Sequence, residues 1–460
     1  MASHPLRSDP LVFPSEGVIT PAQAALWATC IGGFLFQLDL TALAAALADV
    51  GADFALAGAA SAWVIDVFSL GLVLTLPACG TLADRWGRRR MFALGAAVFA
   101  VASAVCASAP SFVVLLAGRA LQGVGGAALT SASLALVAAT TPVTARPRAF
   151  AINGTVIGIA MVIGPPLGAL VAATVGWRWI FWLNLPPCVT VLMLIRWRVP
   201  ESRDAGAAAV ALDWPGCAAL AAAAGGLAVA LLEGHRLGGP ASAVLLGGVV
   251  LATLAFVAIE RRSRAPAIDL TLLRSPRFVA MCVAPLASSV GYWSLLVYVP
   301  QLARGPLQMT PLAAGGLLTA LTLPMLLVPW LGAVLARRWS PRLFFPLGLA
   351  IMGLADLAAA LAVGSGAGAV AAALLASGAG AALIQAQVTA AAIGAAPPGR
   401  AAMAAAICVT LRQLGFSVGV AGLGALVAVG GEAGFMLAFL GAGGLAVVAA
   451  AACHVLLRGG

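Results

Sequence analysis

Long uninterrupted apolar runs are the feature that most constrains what this chain can fold into. A transmembrane helix needs about 20 consecutive apolar residues, and the 460 residues contain fourteen runs of roughly that length. Only 9% of the residues are charged, whereas soluble domains carry roughly 25%, so a water-soluble globular protein is excluded. We predict an all-α integral membrane protein. The 460 residues divided among fourteen spans leave about 33 per span with its loop, too few for a sizeable soluble domain.

The predicted spans form two groups of six with an additional pair between them. With Arg, Pro and Gly as boundaries, the first six cover residues 22–48, 58–82, 91–109, 111–139, 148–173 and 178–197. The inserted pair covers 213–232 and 241–259, and the last six cover 278–302, 311–335, 342–362, 367–393, 401–428 and 433–457. The predicted regions are therefore a cytoplasmic segment 1–21, a six-helix bundle 22–200, the inserted pair within 201–265 and a second six-helix bundle 266–460.

The arginines indicate the orientation of these spans. All 25 basic residues are Arg, and 20 of the 25 fall on the cytoplasmic side if the N-terminus is cytoplasmic. Three lie on the opposite side and two, Arg119 and Arg412, fall inside spans. This split satisfies the positive-inside rule, so we expect both ends in the cytoplasm and a multi-pass protein of a bacterial inner (cytoplasmic) membrane. The net charge of +10 then records topology, and no nucleic-acid partner is expected.

A weak internal repeat relates the two groups of six. Arg85-Trp86-Gly87-Arg88-Arg89 recurs 253 positions later as Arg338-Trp339-Ser340-Pro341-Arg342. The segment that starts at Ile163 recurs 251 positions later at Leu414. Repeated bundles of this kind bind substrate near the bilayer midplane, between the halves, and rock one half against the other. We therefore predict two pseudo-symmetric bundles with the inserted pair between them.

Five charged residues lie away from the ends of predicted spans, where ionisable groups usually face a cavity or a partner. They are Asp39, Asp66, Arg119, Asp356 and Arg412. Asp39 lies well inside span 1, where burial disfavours a charged carboxylate, as a proton-coupling group requires. A permanent pair with an arginine is the alternative. Asp66, near the middle of span 2, either lines a cavity or makes a structural hydrogen bond, and Asp356 has no motif beside it.

Arg119, Gln122 and Gly123 share one face of span 4 because helix positions three and four apart are neighbours. A fixed positive charge there can hold a nearby carboxylate ionised, or release its proton when the geometry changes. A purely structural ion pair is the alternative. Asp66, Gln122, Arg412 and Gln413 are the candidates for the wall of a substrate cavity.

Two glycine-containing segments complete the candidates. At the cytoplasmic end of span 2, Gly80 and Gly87 permit a tight turn. Asp84 there lies among arginines that include Arg85, Arg88 and Arg89, so it can latch helix ends together; a plain topology anchor is the alternative. In span 5, close packing or a kink is expected from a set of small residues and prolines: Gly158, Gly164, Pro165, Pro166 and Gly168.

These motifs resemble known ones. The loop at residues 80–89 resembles the major facilitator superfamily signature Gly-x-Leu-Ala-Asp-Arg-x-Gly-Arg-Arg. Residues 118–123 are similar to the span 4 motif associated with proton transfer, and residues 164–168 to the span 5 motif of the superfamily's antiporters. With fourteen spans and the segments 38–41, 177–186 and 411–415, the chain resembles the fourteen-helix drug:proton antiporter family. The family's span 1 motif usually continues to an Asn and ends in Pro, where this sequence has Ala44 and Ala48. Span 2 of the family commonly has Tyr where this sequence has Phe68.

The resemblance implies a proton-coupled secondary transporter that exports small amphipathic molecules, such as drugs, antibiotics or secondary metabolites, by alternating access. Its partners would be substrate, protons and the bilayer, with Asp39 and Arg119 coupling the proton, no cofactor and a monomeric state. A proton symporter or facilitator that imports a nutrient remains an alternative, as does a non-transporting membrane sensor or assembly protein. An enzyme is not expected, since the three His are scattered and no nucleotide loop or metal-ligand spacing is present.

Overall fold

The computed structural model describes residues 19–56, 61–142, 144–203, 213–263, 270–397 and 401–458. These residues form α-helices joined by short loops. The helices are α1 (Pro21–Asp53), α2 (Trp63–Trp86), α3 (Arg88–Ala107), α4 (Phe112–Thr140), α5 (Arg146–Thr174), α6 (Arg178–Trp182), α7 (Leu185–Arg198), α8 (Trp214–Arg262), α9 (Pro276–Ser288), α10 (Ser294–Arg304), α11 (Pro311–Thr322), α12 (Pro324–Arg338), α13 (Pro341–Ala362), α14 (Ala367–Ala395), α15 (Ala401–Val427) and α16 (Gly431–Arg458). A π-helical turn at Ser289–Trp293 joins α9 to α10.

The predicted fourteen spans are confirmed within these residues. Thirteen helical segments are long and apolar enough to cross a bilayer, and α2, which bends by 49° between Leu76 and Ala78, makes the fourteenth. The bend lies at Pro77, and proline lacks the amide hydrogen that a continuous helix uses. Helix α8 contains the two inserted spans, separated at Gly238, whose φ is +74°. Of the predicted cytoplasmic segment 1–21, residues 1–18 lie outside the described residues.

Several helices begin where a side chain can cap their free amide groups. Thr20 accepts a hydrogen bond from the Gln23 amide while the Gln23 side chain accepts from the Thr20 amide. This reciprocal capping box satisfies two of the amides that an α-helix leaves unpaired at its start. Asp213 accepts from the Gly216 amide at 2.9 Å at the start of α8. The polar residues between apolar runs therefore define helix starts as well as loops.

Two six-span bundles with an inserted pair form the fold. Helices α1–α7 make the first bundle and α9–α16 the second, while α8 packs against α2 of one and α15 of the other. Helix α3 starts at Arg88 and α13 at Pro341, which is the 253-residue offset seen in the sequence repeat. Helices α4 and α14 both have 29 residues. The pseudo-symmetric architecture predicted from the sequence is confirmed.

Two positions differ from the sequence prediction. Asp66 lies in the first turn of α2, near the outer end of the span, and not near its middle. The predicted span begins at residue 58, whereas α2 begins at Trp63, and residues 57–60 lie outside the described residues. Gly80 lies inside α2, where it makes no turn; only Gly87, with φ +118°, turns the chain.

Candidate functional site

A buried ion pair joins α1 to α4. Arg119 Nη1 lies 2.6 Å from Asp39 Oδ2, and neither side chain has any solvent exposure. Asp39 is the nineteenth of the 33 residues of α1, so the pair lies deep in the first bundle. Burying two charges is tolerated only when they are paired and hydrogen-bonded with good geometry. The structure thus brings together the two residues predicted to couple the proton.

Neutral polar side chains enclose the ion pair. The second carboxylate oxygen of Asp39 accepts from Asn184 Nδ2 at 2.7 Å and from Gln122 Nε2 at 3.3 Å. Gln122 also donates to Ser103 Oγ at 2.8 Å and accepts from Arg119 Nη1 at 2.7 Å. All of these residues are buried. The spans containing α4 and α7 therefore contact the α1 carboxylate directly, and α3 contributes Ser103, which contacts Gln122 and Asn184.

Helix α2 holds the arginine from the other side. Arg119 Nε donates to the carbonyl oxygen of Val64 at 2.9 Å, and its guanidinium carbon lies 4.3 Å from the centre of the Phe68 ring. A cation over an aromatic face is stabilised by the ring quadrupole. Phe68 keeps this aromatic face although the related family commonly has Tyr there. Within the described residues, Nη2 of Arg119 has no hydrogen-bond partner.

A small cavity lies beside Asp39 on the side facing α5 and α7. Its volume is about 10 Å³, and Asp39, Asn184 and Gly168 contribute to its wall. This is about the space that one water molecule requires. The cavity beside the carboxylate is therefore too small for an organic substrate.

The predicted cavity-wall residues are not all in one place. Gln122 belongs to the ion-pair cluster, whereas Asp66 is buried and accepts from Ser417 Oγ at 2.5 Å, across the boundary between the bundles. Arg412 and Gln413, on α15, are half-buried. Asp356 is fully buried on α13, and within the described chain neither of its carboxylate oxygens has a hydrogen-bond partner.

Contacts between the bundles also include an ion pair at the outer surface. Asp49, near the end of α1, lies 2.6 Å from Arg304, the last residue of α10. Asp53, one turn further along α1, pairs with Arg178 at 2.6 Å within the first bundle. Asp49–Arg304 and Asp66–Ser417 are polar contacts that cross between the bundles, and both lie toward the side opposite the arginine-rich loops.

The small residues of α5 make it pack closely against α1. A side chain at Gly164 would overlap Thr41, and one at Gly168 would overlap the backbone at Ala42. Pro165 and Pro166 lie inside the continuous α5, and Gly158 approaches Met325 of the second bundle. The predicted close packing is therefore present, three residues from Asp39 along α1.

The cytoplasmic loop between α2 and α3 is held by residues on both sides. Arg88 donates to Asp84 Oδ1 through Nε at 3.2 Å and Nη2 at 3.0 Å, and this pair joins the end of α2 to the start of α3. Glu201, beyond α7, accepts from the backbone amides of Arg89 at 3.0 Å and Arg90 at 3.3 Å. A carboxylate is stabilised at a helix N-terminus by the exposed amides and the helix dipole.

Sequence reasoning missed three residues of these clusters: Ser103, Asn184 and Glu201. Uncharged polar residues within spans are frequent, so nothing singled out Ser103. Asn184 lies inside the segment 177–186 that resembles the antiporter family. A side-chain amide within an apolar run could have indicated a buried polar contact there. Glu201 is one of 15 acidic residues, and a search for the counter-charge of the arginine-rich loop would have included it.

The chain is similar to several curated bacterial transporters. It is 32% identical over 407 residues to the multidrug resistance protein Stp of Mycobacterium tuberculosis. The alignment covers 88% of this chain and 75% of that protein. It is 30% identical to the drug efflux pump JefA of the same species, over 89% of this chain and 81% of the relative. The multidrug efflux pump LfrA of Mycolicibacterium smegmatis is 31% identical over 74% and 67% of the two chains.

Solved structures share the fold at much lower identity. A D-xylose-proton symporter has a TM-score of 0.68 at 15% identity and covers 94% of this chain and 97% of its own. The peptide transporter POT has the same TM-score at 16% identity, over 94% of each chain. The family model described as Major Facilitator Superfamily matches residues 29–419, which confirms the resemblance carried by the loop signature and indicates a transporter rather than an enzyme. The chain belongs to the Major Facilitator Superfamily.

Proposed function

We propose that this protein exports small amphipathic molecules from the cytoplasm in exchange for protons, by alternating access between its two bundles. The names of the relatives, multidrug resistance protein and drug efflux pump, support the substrate class. No cofactor is required, because the proton gradient supplies the energy. A monomer in the bacterial inner membrane is the proposed working form.

The buried Asp39–Arg119 pair is the observation that carries proton coupling. In the conformation described, the carboxylate and guanidinium neutralise each other without solvent exposure. A proton arriving at Asp39 removes the negative charge and leaves Arg119 as an unpaired buried cation, which costs several kcal/mol. Protonation therefore favours a conformation in which Arg119 finds another partner or water. Because the contacts of Asp39 and Arg119 involve four of the six spans of the first bundle, that rearrangement changes the shape of the bundle.

The contacts between the bundles indicate which side must open for the substrate to leave. Asp49–Arg304 and Asp66–Ser417 hold the bundles together toward the outer surface. Release of substrate to the outside requires these contacts to separate. Helix α5, whose glycines lie directly on Thr41 and Ala42, transmits a shift of α1 to the region where α5 contacts α11 of the second bundle.

Ethidium transport in everted membrane vesicles tests the proposal. Vesicles that contain the full-length protein and have an acidic lumen, so that protons are driven outward, are expected to accumulate ethidium, and addition of ethidium is expected to dissipate part of the gradient. Asp39→Asn is expected to abolish both signals, at least tenfold below wild type. Asp53→Asn is the matched control, since Asp53 lies on the same helix in a partly exposed surface pair.

Two results would contradict the proposal. Gradient-driven accumulation in Asp39→Asn equal to that in Asp53→Asn would remove Asp39 from the coupling step. Ethidium movement that is unchanged by a protonophore in wild-type vesicles would remove proton antiport altogether. The double variant Asp39→Asn with Arg119→Gln separates loss of coupling from misfolding, because it leaves no unpaired buried charge.

A further inference from the structure

A basic groove with apolar walls lies outside the transport site, at the cytoplasmic ends of α3 and α7. We define the α3–α7 groove by its lining residues: Arg89, Arg90 and Ala93 on α3, Val189, Leu192, Met193, Ile195, Arg196 and Trp197 on α7, and Glu201 after α7. Its volume is about 610 Å³, within the range of about 300–1,000 Å³ typical of ligand pockets. The groove is not lined by Asp39, by Arg119 or by the residues hydrogen-bonded to them.

The groove carries excess positive charge. Three arginines face one carboxylate, that of Glu201. Glu201 is already engaged, because it accepts from the backbone amides of Arg89, Arg90 and Ser202. Its distance to the Arg90 guanidinium is 3.7 Å, and in the described part of the chain Arg196 has no acidic partner. The groove therefore presents at least one uncompensated guanidinium beside the N-terminus of α3, where the helix dipole adds positive potential.

The walls of the groove run from this basic end into the apolar depth of the membrane. Val189 and Arg196 are seven residues apart on α7, which at about 1.5 Å per residue separates them by roughly 10 Å along the axis. The side chains of Val189 and Met193 are 46% and 47% exposed on the surface of the protein. Trp197 is 71% exposed, and tryptophan is enriched at the headgroup level of membranes. A soluble anion would use the arginines but not these apolar walls.

We propose that the α3–α7 groove binds an anionic glycerophospholipid of the cytoplasmic leaflet. Its phosphate lies between Arg90 and Arg196, and one acyl chain follows Val189 and Met193. Basic pockets between transmembrane helices on the cytoplasmic side suit such headgroups. The bound lipid bridges α3 to α7, next to Glu201, which holds the start of α3.

Native mass spectrometry and thermal unfolding of the purified full-length protein test this site. The probes are dioleoylphosphatidylglycerol and the zwitterionic dioleoylphosphatidylcholine, each titrated into protein in detergent. Phosphatidylglycerol is expected to bind more tightly and to raise the midpoint of thermal unfolding. The double variant Arg90→Gln with Arg196→Gln is expected to weaken phosphatidylglycerol binding by about fivefold for each arginine removed. Arg198→Gln is the matched control, because Arg198 is an exposed neighbour on α7 that does not line the groove.

Competition with glycerol 1-phosphate distinguishes the lipid from a soluble phosphate. Millimolar glycerol 1-phosphate is expected to leave phosphatidylglycerol binding unchanged, since it lacks the acyl chain. Met193→Asn is expected to weaken lipid binding at least threefold without changing any charge. The proposal is overturned if the two lipids bind equally, if the double variant binds phosphatidylglycerol as well as Arg198→Gln does, or if glycerol 1-phosphate displaces the lipid. None of these measurements requires transport, so they are independent of the proposed export function.

Discussion

Asp49 and Arg304 form an ion pair across the two bundles, with 2.6 Å between Oδ2 and Nη1. Each side chain is 27% exposed, so the pair contributes at most about 1 kcal/mol, which is weak enough to open during each transport cycle. We predict that Asp49→Arg slows export severalfold, because two guanidinium groups then face each other at the outer surface. The exchange Asp49→Arg with Arg304→Asp is expected to restore most of the rate. Vesicle transport measurements check this; failure of the exchange to restore transport would argue against a gating contact.

The Asp39–Arg119 pair leads to a prediction about stability. Removing one partner of a buried pair costs roughly 3–5 kcal/mol, because the other charge stays buried and unpaired. We therefore expect Asp39→Asn and Arg119→Gln each to lower the midpoint of thermal unfolding in detergent. The double variant is expected to unfold closer to wild type than either single variant. Additive losses in the double variant would show that the two charges do not compensate each other.

The two glycines of the cytoplasmic loop signature are expected to respond differently to alanine. Gly87 has φ +118°, and a side chain there would collide with the Glu201 carboxylate. Strain of this kind costs about 1–3 kcal/mol, so Gly87→Ala should lower thermal stability. Gly80 lies inside α2 with nothing within 4 Å of an added Cβ. Gly80→Ala should therefore leave stability unchanged or raise it by up to about 1 kcal/mol. Equal effects of the two substitutions would contradict this reading of the loop.

Replacement of Asp356 by Asn is expected to affect stability in the opposite direction to the same replacement at Asp39. It is fully buried, and within the residues described its carboxylate oxygens accept no hydrogen bond. An unpartnered ionised carboxylate is expensive to bury, whereas an amide of the same shape carries no charge. We expect Asp356→Asn to unfold at or above the wild-type temperature, in contrast to Asp39→Asn. A clear loss of stability would mean that a polar neighbour such as the buried Ser377 hydroxyl compensates the charge of Asp356.

Much of this fold follows from hydropathy and charge alone. Spans of about 20 apolar residues are long signals, and the arginines set their direction, so both the number of spans and the repeat were predictable. The Asp39–Arg119 pair was predictable for a related reason. Charges are so rare within spans that two of opposite sign in one bundle have few other partners.

Other parts of the site could not be predicted because no periodic pattern in the sequence indicates them. Hydropathy does not mark the residue at which a helix begins, so the sequence did not place Asp66 in the first turn of α2. Asn184 and Ser103 contact Asp39 and Gln122 only because α7 and α3 pack at that depth. Glu201 lies 112 residues from Arg89 in sequence, and no short-range pattern indicates a contact over that separation.

The size of the cavity beside Asp39 has a consequence for inhibition. A volume of about 10 Å³ admits a water molecule but no drug-sized compound, so in this conformation proton and substrate cannot compete for contact with the same carboxylate. An inhibitor that occupies the substrate route would then not be displaced by acid acting at Asp39. Its potency would change with pH only to the extent that protonation redistributes the protein between its two orientations. Blocking compounds for such a pump are therefore best ranked at several proton gradients rather than at one pH.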